Sequence, residues 1–151
     1  MNQNIWGPHL WFSLHTISFN YPLKPTQKDK DDYKLFFIHL QEVIPCSVCK
    51  KNYKRHLNEH PIEGFLYSRK LLVYWVIDMH NMVNAEIGKK ILSYDIVIKK
   101  YEDVYKKKIE LDDTNVVVKY KNIDYKNIIN GLFFIFLLLL IINFIKLYKK
   151  N

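Results

Sequence analysis

The chain has 151 residues, 49% of them hydrophobic, with a formal net charge of +8 and two cysteines. That length allows one compact domain and little more, and two cysteines are too few for a small secreted scaffold stapled by several disulfides. The positive charge comes mainly from scattered lysines with no arginine cluster, which argues against nucleic acid as the partner and makes an anionic membrane surface the better match.

The first residues, Met1 to Ile5, carry neither a basic segment nor an apolar core of the kind that directs secretion, so the domain is expected in the cytosol. Trp6-Gly7-Pro8 opens the first element. Pro8 suits a first helical turn, and the helix is expected to run to about Phe19 with Leu10, Leu14 and Ile17 on its apolar face. Trp11 and His15 are four apart and share a face; taken alone, they read as a core aromatic and a satisfied buried histidine. Tyr21-Pro22-Leu23-Lys24-Pro25 stops the helix.

The charge run Lys28-Asp29-Lys30-Asp31-Asp32 starts a second helix, with Leu35, Phe36, Ile38, His39, Leu40 and Val43 as its apolar positions and neighbours, and Pro45 ends it. Both cysteines follow at once, in Pro45-Cys46-Ser47-Val48-Cys49, at the expected start of a third helix reaching about Asn58. A helix N-terminus favours a thiolate, and Lys50, Lys51 and Arg55 add cationic field, so a redox-active dithiol is one reading. Zinc is the other, because Cys46, Cys49, His56 and His60 form C-x2-C-x6-H-x3-H. Zinc fingers leave about 12 residues between the two pairs so that the ligands can converge. On one continuous helix Cys46 and His60 would stand roughly 20 Å apart, and no Gly or Pro breaks the segment before Pro61, so His56 and His60 read as surface histidines.

Ser68 caps the fourth and longest expected helix, which carries Leu71, Leu72, Trp75, Met79, Val83 and Ile87 and ends near Gly88. His80, Asn81 and Asn84 line about one turn of it, and asparagine is a poor choice for a helix interior, so a polar ligand is one reading and plain surface placement the other. Tyr94 to Lys108 is expected as a shorter fifth helix, with Ile96, Ile98, Tyr101 and Tyr105 as apolar contacts. Residues 109–127 lose the helical period and read as a linker. Residues 128–145 contain no charge and would span roughly 27 Å as a helix, which suits a transmembrane anchor, followed by a basic tail at 146–151. The short tail and the lack of a signal point to a tail anchor with the domain, residues 1–108, facing the cytosol.

Together these residues resemble the FAD-linked sulfhydryl oxidases of the Erv/ALR family, most closely the small forms encoded by large cytoplasmic DNA viruses. The resemblance rests on Trp6-Gly7-x-x-x-Trp11-x-x-Leu14-His15 with Tyr21-Pro22, on Pro45-Cys46-x-x-Cys49, and on Ser68-Arg69, Trp75, His80-Asn81-x-Val83-Asn84 and Gly88-Lys89, in that order over about residues 5–105. It implies an all-α fold, a four-helix bundle plus a short fifth helix that binds FAD, and usually a homodimer. By position it assigns Gly7, His9, Trp11, His15, His80, Asn81, Asn84, Lys89 and Tyr94 to FAD, with Tyr94 closing the pocket and Tyr101 a weaker candidate. It makes Cys46 and Cys49 the catalytic disulfide. A thiol of a protein dithiol or a thioredoxin-like redox partner attacks Cys46, and Cys49, nearer the flavin in this family, passes electrons on to oxygen as hydrogen peroxide. A site in a virion or virus-factory membrane also follows from the resemblance. The non-enzymatic alternative is a zinc-bearing membrane adaptor.

The chain departs from the family in three places. It has no second, shuttle pair of cysteines, so substrates must reach Cys46 directly. Asn58 and Ile96 occupy positions where cellular members often place a structural disulfide. Lys90 to Ser93 include about two extra residues, which shifts the match of Tyr94 and everything after it.

Overall fold

The computed structural model describes residues 1–112. Among them there are five α-helices, one short 3-10 turn and no strand. The expected linker beyond Asp112, the apolar segment 128–145 and the basic tail lie outside the described residues; no helix among the described ones is long and apolar enough to cross a membrane.

Helix α1 is Gln3–Phe19, α2 Gln27–Val43, α3 Ser47–Glu59, α4 Arg69–Glu86 and α5 Tyr94–Tyr105, with the 3-10 turn Ile62–Phe65 between α3 and α4. Local chemistry sets most of these limits. Thr26 and Asp29 bond reciprocally in a capping box at the start of α2. Ser68 caps α4 by accepting from the N–H of Leu71, and Ser93 caps α5 by accepting from that of Ile96. After α4 the backbone turns through Gly88 at φ 69°, a conformation open to glycine at no steric cost.

Two boundaries differ from expectation. Helix α1 begins at Gln3, ahead of Trp6-Gly7-Pro8, because the Asn2 side chain accepts from the N–H of Asn4 and supplies an earlier cap. Helix α5 stops at Tyr105, where Lys106 adopts a left-handed conformation. Residues 109–112 then pack back on the helices: Ile109 and Leu111 cover the cluster Val73, Ile77, Val97 and Tyr101, and Asp112 accepts from the N–H of Lys70 at the amino end of α4.

Helix α4 is the central element. It packs on α1, α5 and the 3-10 turn, while α2 and α3 pair with each other. Its buried side chains are Leu71, Leu72, Val73, Trp75, Val76, Ile77, Met79 and Asn84, a nearly continuous apolar surface rather than a stripe, since neighbours surround its first three turns. Trp75 meets Phe37 of α2 edge to face with ring centroids 5.1 Å apart, and its indole N–H donates to the carbonyl of His60 at 2.9 Å. On α2 the buried positions are Phe37 and Leu40, while the expected Leu35, Phe36 and Val43 are exposed. The run Leu35-Phe36-Phe37-Ile38 is apolar throughout, so periodicity alone could not single out Phe37.

Candidate active site

Pro45 ends α2, and Cys46 becomes the N-cap of α3, its backbone extended and its sulfur accepting from the N–H of Cys49 at 3.2 Å. Cys46 and Cys49 are joined in a disulfide with Cα atoms 5.2 Å apart. The bond thus lies over the free amide hydrogens of a helix start, where a released thiolate is stabilised. Both cysteines are half-buried, and the side chains of Val43 and Val48 nearby in the sequence are exposed. Lys50 donates to the carbonyl of Glu42 at 2.7 Å, so its ammonium is held beside this turn.

The zinc reading finds no support. Its two sulfurs are bonded to each other, and among the described residues no group of three or more His, Cys, Asp or Glu could hold a metal. His56 and His60 are not surface histidines either. His56 is 1% exposed and bonds Glu86 of α4 at 3.0 Å through Nε2. Asn52 and Arg55 bond the same carboxylate, so Glu86 gathers three side chains of one α3 face against α4. Burial, with the Arg55 charge beside it, holds the His56 imidazole below its ordinary pKa. His60, at the end of α3, packs against Phe65 and lies 3.4 Å from the Asp78 carboxylate.

A second constellation joins α1 to α4. The rings of Trp11 and His80 stack 4.2 Å apart and within 2° of parallel. His15 Nε2 lies 3.0 Å from His80 Nδ1, and the His15 ring also meets Tyr101 of α5 at 5.2 Å. His15 is 1% exposed, and its Nδ1 is buried with no partner among the described residues. A lone acceptor costs less in that position than a lone N–H, so the favoured tautomer has His15 Nε2–H donating to His80 Nδ1. That leaves His80 to present Nε2–H as a donor.

Both rings are held neutral. Burial, His80 and Lys100 push His15 down to about 3, and burial, Lys100 and Lys89 push His80 down to about 4. Helix α5 thus brings Tyr101 and Lys100 to the two histidines, and neither had more than a weak sequence signal. Lys89 is exposed, and its charge acts on His80 from just beyond α4.

The other expected residues fall as follows. Asn84 is 7% exposed, and its side chain makes no hydrogen bond among the described residues. Asn81 donates to the carbonyl of Leu92 at 2.8 Å and accepts from its N–H at 3.1 Å, which pins the segment before α5 and leaves each end of the carboxamide one further hydrogen bond. The Tyr94 ring stacks on Tyr74 at 4.0 Å and its hydroxyl donates to Asp78 at 2.9 Å. Gly7 lies on α1 with open space on its Cα side, and His9 is exposed one turn before Ser13, whose hydroxyl bonds its carbonyl. Gln3, which carried no sequence signal at all, reaches the disulfide from the first turn of α1.

The donor set fits a flavin nucleotide. A flat aromatic wall, neutral imidazole donors, carboxamides and two lysines match a large aromatic ring system carrying a diphosphate, and the orphaned acceptor on His15 lacks the partner such a ligand's N–H or O–H groups would give.

Comparison with known proteins points the same way. A model of the Erv1/Alr family matches residues 8–106. The "Probable FAD-linked sulfhydryl oxidase" of Acanthamoeba polyphaga mimivirus is 42% identical over 103 residues, covering 68% of this chain and 72% of that protein. An FAD-linked sulfhydryl oxidase of African swine fever virus is 29% identical over 112 residues, 74% of this chain and 92% of the viral protein. Among solved structures, the FAD-binding domain of Erv1 from Saccharomyces cerevisiae superimposes with a TM-score of 0.63 at 27% identity, covering 68% of this chain and 96% of that one.

Proposed function

The chain belongs to the Erv1/Alr family and is an FAD-linked sulfhydryl oxidase; from that premise we propose that it makes disulfides in protein dithiols through Cys46 and Cys49, with oxygen as the final acceptor. The observation that carries this reading is the disulfide capping the amino end of α3.

A substrate thiolate attacks Cys46 Sγ, forming a mixed disulfide as the Cys46–Cys49 bond breaks and its electron pair stays on Cys49. The second substrate thiolate then attacks the substrate sulfur, releasing the product disulfide and a thiolate on Cys46. The N–H of Cys49 is positioned to hold that thiolate, 3.2 Å from the sulfur. The exposed side chains of Val43 and Val48, close in sequence to the two cysteines, offer an apolar surface to an approaching dithiol.

FAD, when bound, would supply the two-electron chemistry that links the reduced cysteines to oxygen and gives hydrogen peroxide. Trp11, His15 and His80 would hold its aromatic parts, Asn81 and Asn84 its polar edges, and Lys89 with Lys100 its phosphates. Gly7 and His9 would border it on α1. Tyr94 would close the pocket, with its hydroxyl held by Asp78.

Three further readings accompany this one. Homodimerisation is supported by the exposed apolar side chains of Leu35 and Phe36 on α2. The uncharged segment 128–145 supports a membrane anchor with the oxidase domain on the cytosolic face. The substrate is a membrane-associated dithiol protein or a thioredoxin-like carrier.

The test is the absorbance spectrum of the purified full chain before and after a dithiol is added without oxygen. The expected result is a flavin band that bleaches, recovers on admitting air with one peroxide formed per disulfide, and fails to bleach in Cys49→Ser. A folded, colourless protein that leaves thiols untouched would overturn the reading.

A further inference from the structure

The two sulfurs of the disulfide are unequally provided for. Cys46 Sγ is the N-cap acceptor of α3 and takes the N–H of Cys49. Cys49 Sγ lies inside the first turn, and the side chain placed against it is Gln3, in the first turn of α1: the carboxamide Oε1 is 3.3 Å from Cys49 Sγ and 3.9 Å from Cys46 Sγ. Neither sulfur of a disulfide carries a hydrogen, so in the oxidised protein this is a van der Waals contact rather than a hydrogen bond.

Opening the disulfide changes what that contact can do. When a substrate thiolate bonds Cys46 Sγ, the electron pair of the broken bond stays on Cys49 Sγ, which becomes an anion without the backbone donor that serves Cys46. A carboxamide carries an acceptor and a two-hydrogen donor on the same carbon, and half a turn about its last torsion exchanges them at nearly the same point in space. Lysine offers only donors and glutamate only acceptors, so glutamine is suited to meet a sulfur that passes through disulfide, thiolate and thiol.

We propose that Gln3 is a further catalytic group of this site: it turns its Nε2–H onto the thiolate released at Cys49, stabilises that leaving group, and accepts from the thiol through Oε1 when Cys49 is protonated. This inference rests on the oxidase reading for its purpose. No proton or electron passes through Gln3; it contributes a hydrogen bond to the sulfur that leaves. A hydrogen bond to a charged acceptor is stronger than one between neutral groups, so the thiolate gains more from Gln3 than the thiol does, and Cys49 becomes more acidic.

The experiment uses the full chain with Cys46→Ser, which keeps an oxygen at the N-cap and leaves Cys49 as the single thiol. The rate of Cys49 alkylation by iodoacetamide is followed by mass spectrometry from mildly acidic to alkaline pH, with Gln3, with Gln3→Met and with Gln3→Lys. Methionine matches glutamine in length and lacks the donor. The expected result is an apparent Cys49 pKa about one unit higher with Met, a tenfold change in acid dissociation, and restored to or below the Gln3 value with Lys. The same pKa with Gln3 and Met would overturn the proposal, as would a Lys variant that matches Met. Because this titration needs no flavin and no turnover, it can fail while the oxidase activity stands, or succeed in a protein that fails the spectral test.

Discussion

The neutral histidine pair makes folding stability depend on pH in a calculable way. His15 and His80 are pushed down to about 3 and about 4 in the folded chain, against an ordinary value of about 6.5 once unfolded. The unfolded chain therefore binds more protons than the folded one below about pH 6.5. Stability from these groups is fully present above that value and drains away as pH falls toward 4, where the folded histidines begin to take up protons themselves. At pH 5 the unfolded chain gains about 2 kcal/mol from protonating one histidine that the fold keeps neutral. For His80, which is only half-buried, screening reduces this to about 1 kcal/mol, so the pair together costs about 3 kcal/mol between pH 7.5 and pH 5. His56, also held low by burial, acts in the same direction, whereas the depressed carboxylates Asp29, Glu63 and Glu102 titrate further down the scale. The assay is urea unfolding of the full chain at both pH values, read by tryptophan fluorescence, for the parent and for the double variant His15→Gln, His80→Gln. The parent should lose about 3 kcal/mol or more on acidification, and the double variant should lose markedly less. Equal loss in both proteins, or no loss in the parent, would refute the argument that this cluster is buried and neutral.

Two other substitutions probe the frame around the site. Glu86→Ala removes the carboxylate shared by Asn52, Arg55 and His56, leaving the buried His56 ring without its partner and Arg55 paired with Glu59 alone; it should lower stability by about 2 kcal/mol in thermal or urea melts and should disturb α3 more than α5 in hydrogen exchange. Asn81→Ala releases both main-chain groups of Leu92, and the Leu92 amide should exchange much faster with a stability loss of about 1–2 kcal/mol; FAD retention should fall as well, and unchanged exchange at Leu92 would show that the carboxamide does not hold this segment.

Much of the site was legible because its signals are short-range. Pro45 and the Cys-x-x-Cys spacing mark a dithiol at a helix start from a handful of adjacent residues, and the structure adds the disulfide and the N-cap geometry to that reading. Trp11 with His15, and His80 with Asn84, could each be put on one helix face by periodicity alone. What joins the two faces is a contact across 65 residues, and no local pattern carries it. The burial of His56 was missed for the same reason: its partner is a glutamate 30 residues away, at the end of another helix.

The amino-acid sequence by itself thus determined the five helices, the caps and prolines that bound them, the redox-competent cysteine pair and the family to which these belong. All of these depend on interactions within a turn or two of the chain, or on residue order. The tertiary structure decided which side chains meet. It brought Tyr101 to His15, turned Asn81 toward the loop it pins, buried His56 against Glu86, and set Gln3 on Cys49. Those outcomes follow from how α1, α3 and α5 rotate about α4 to bury its apolar surface, and a rotation of helices about a common core leaves no trace in the spacing along any one of them.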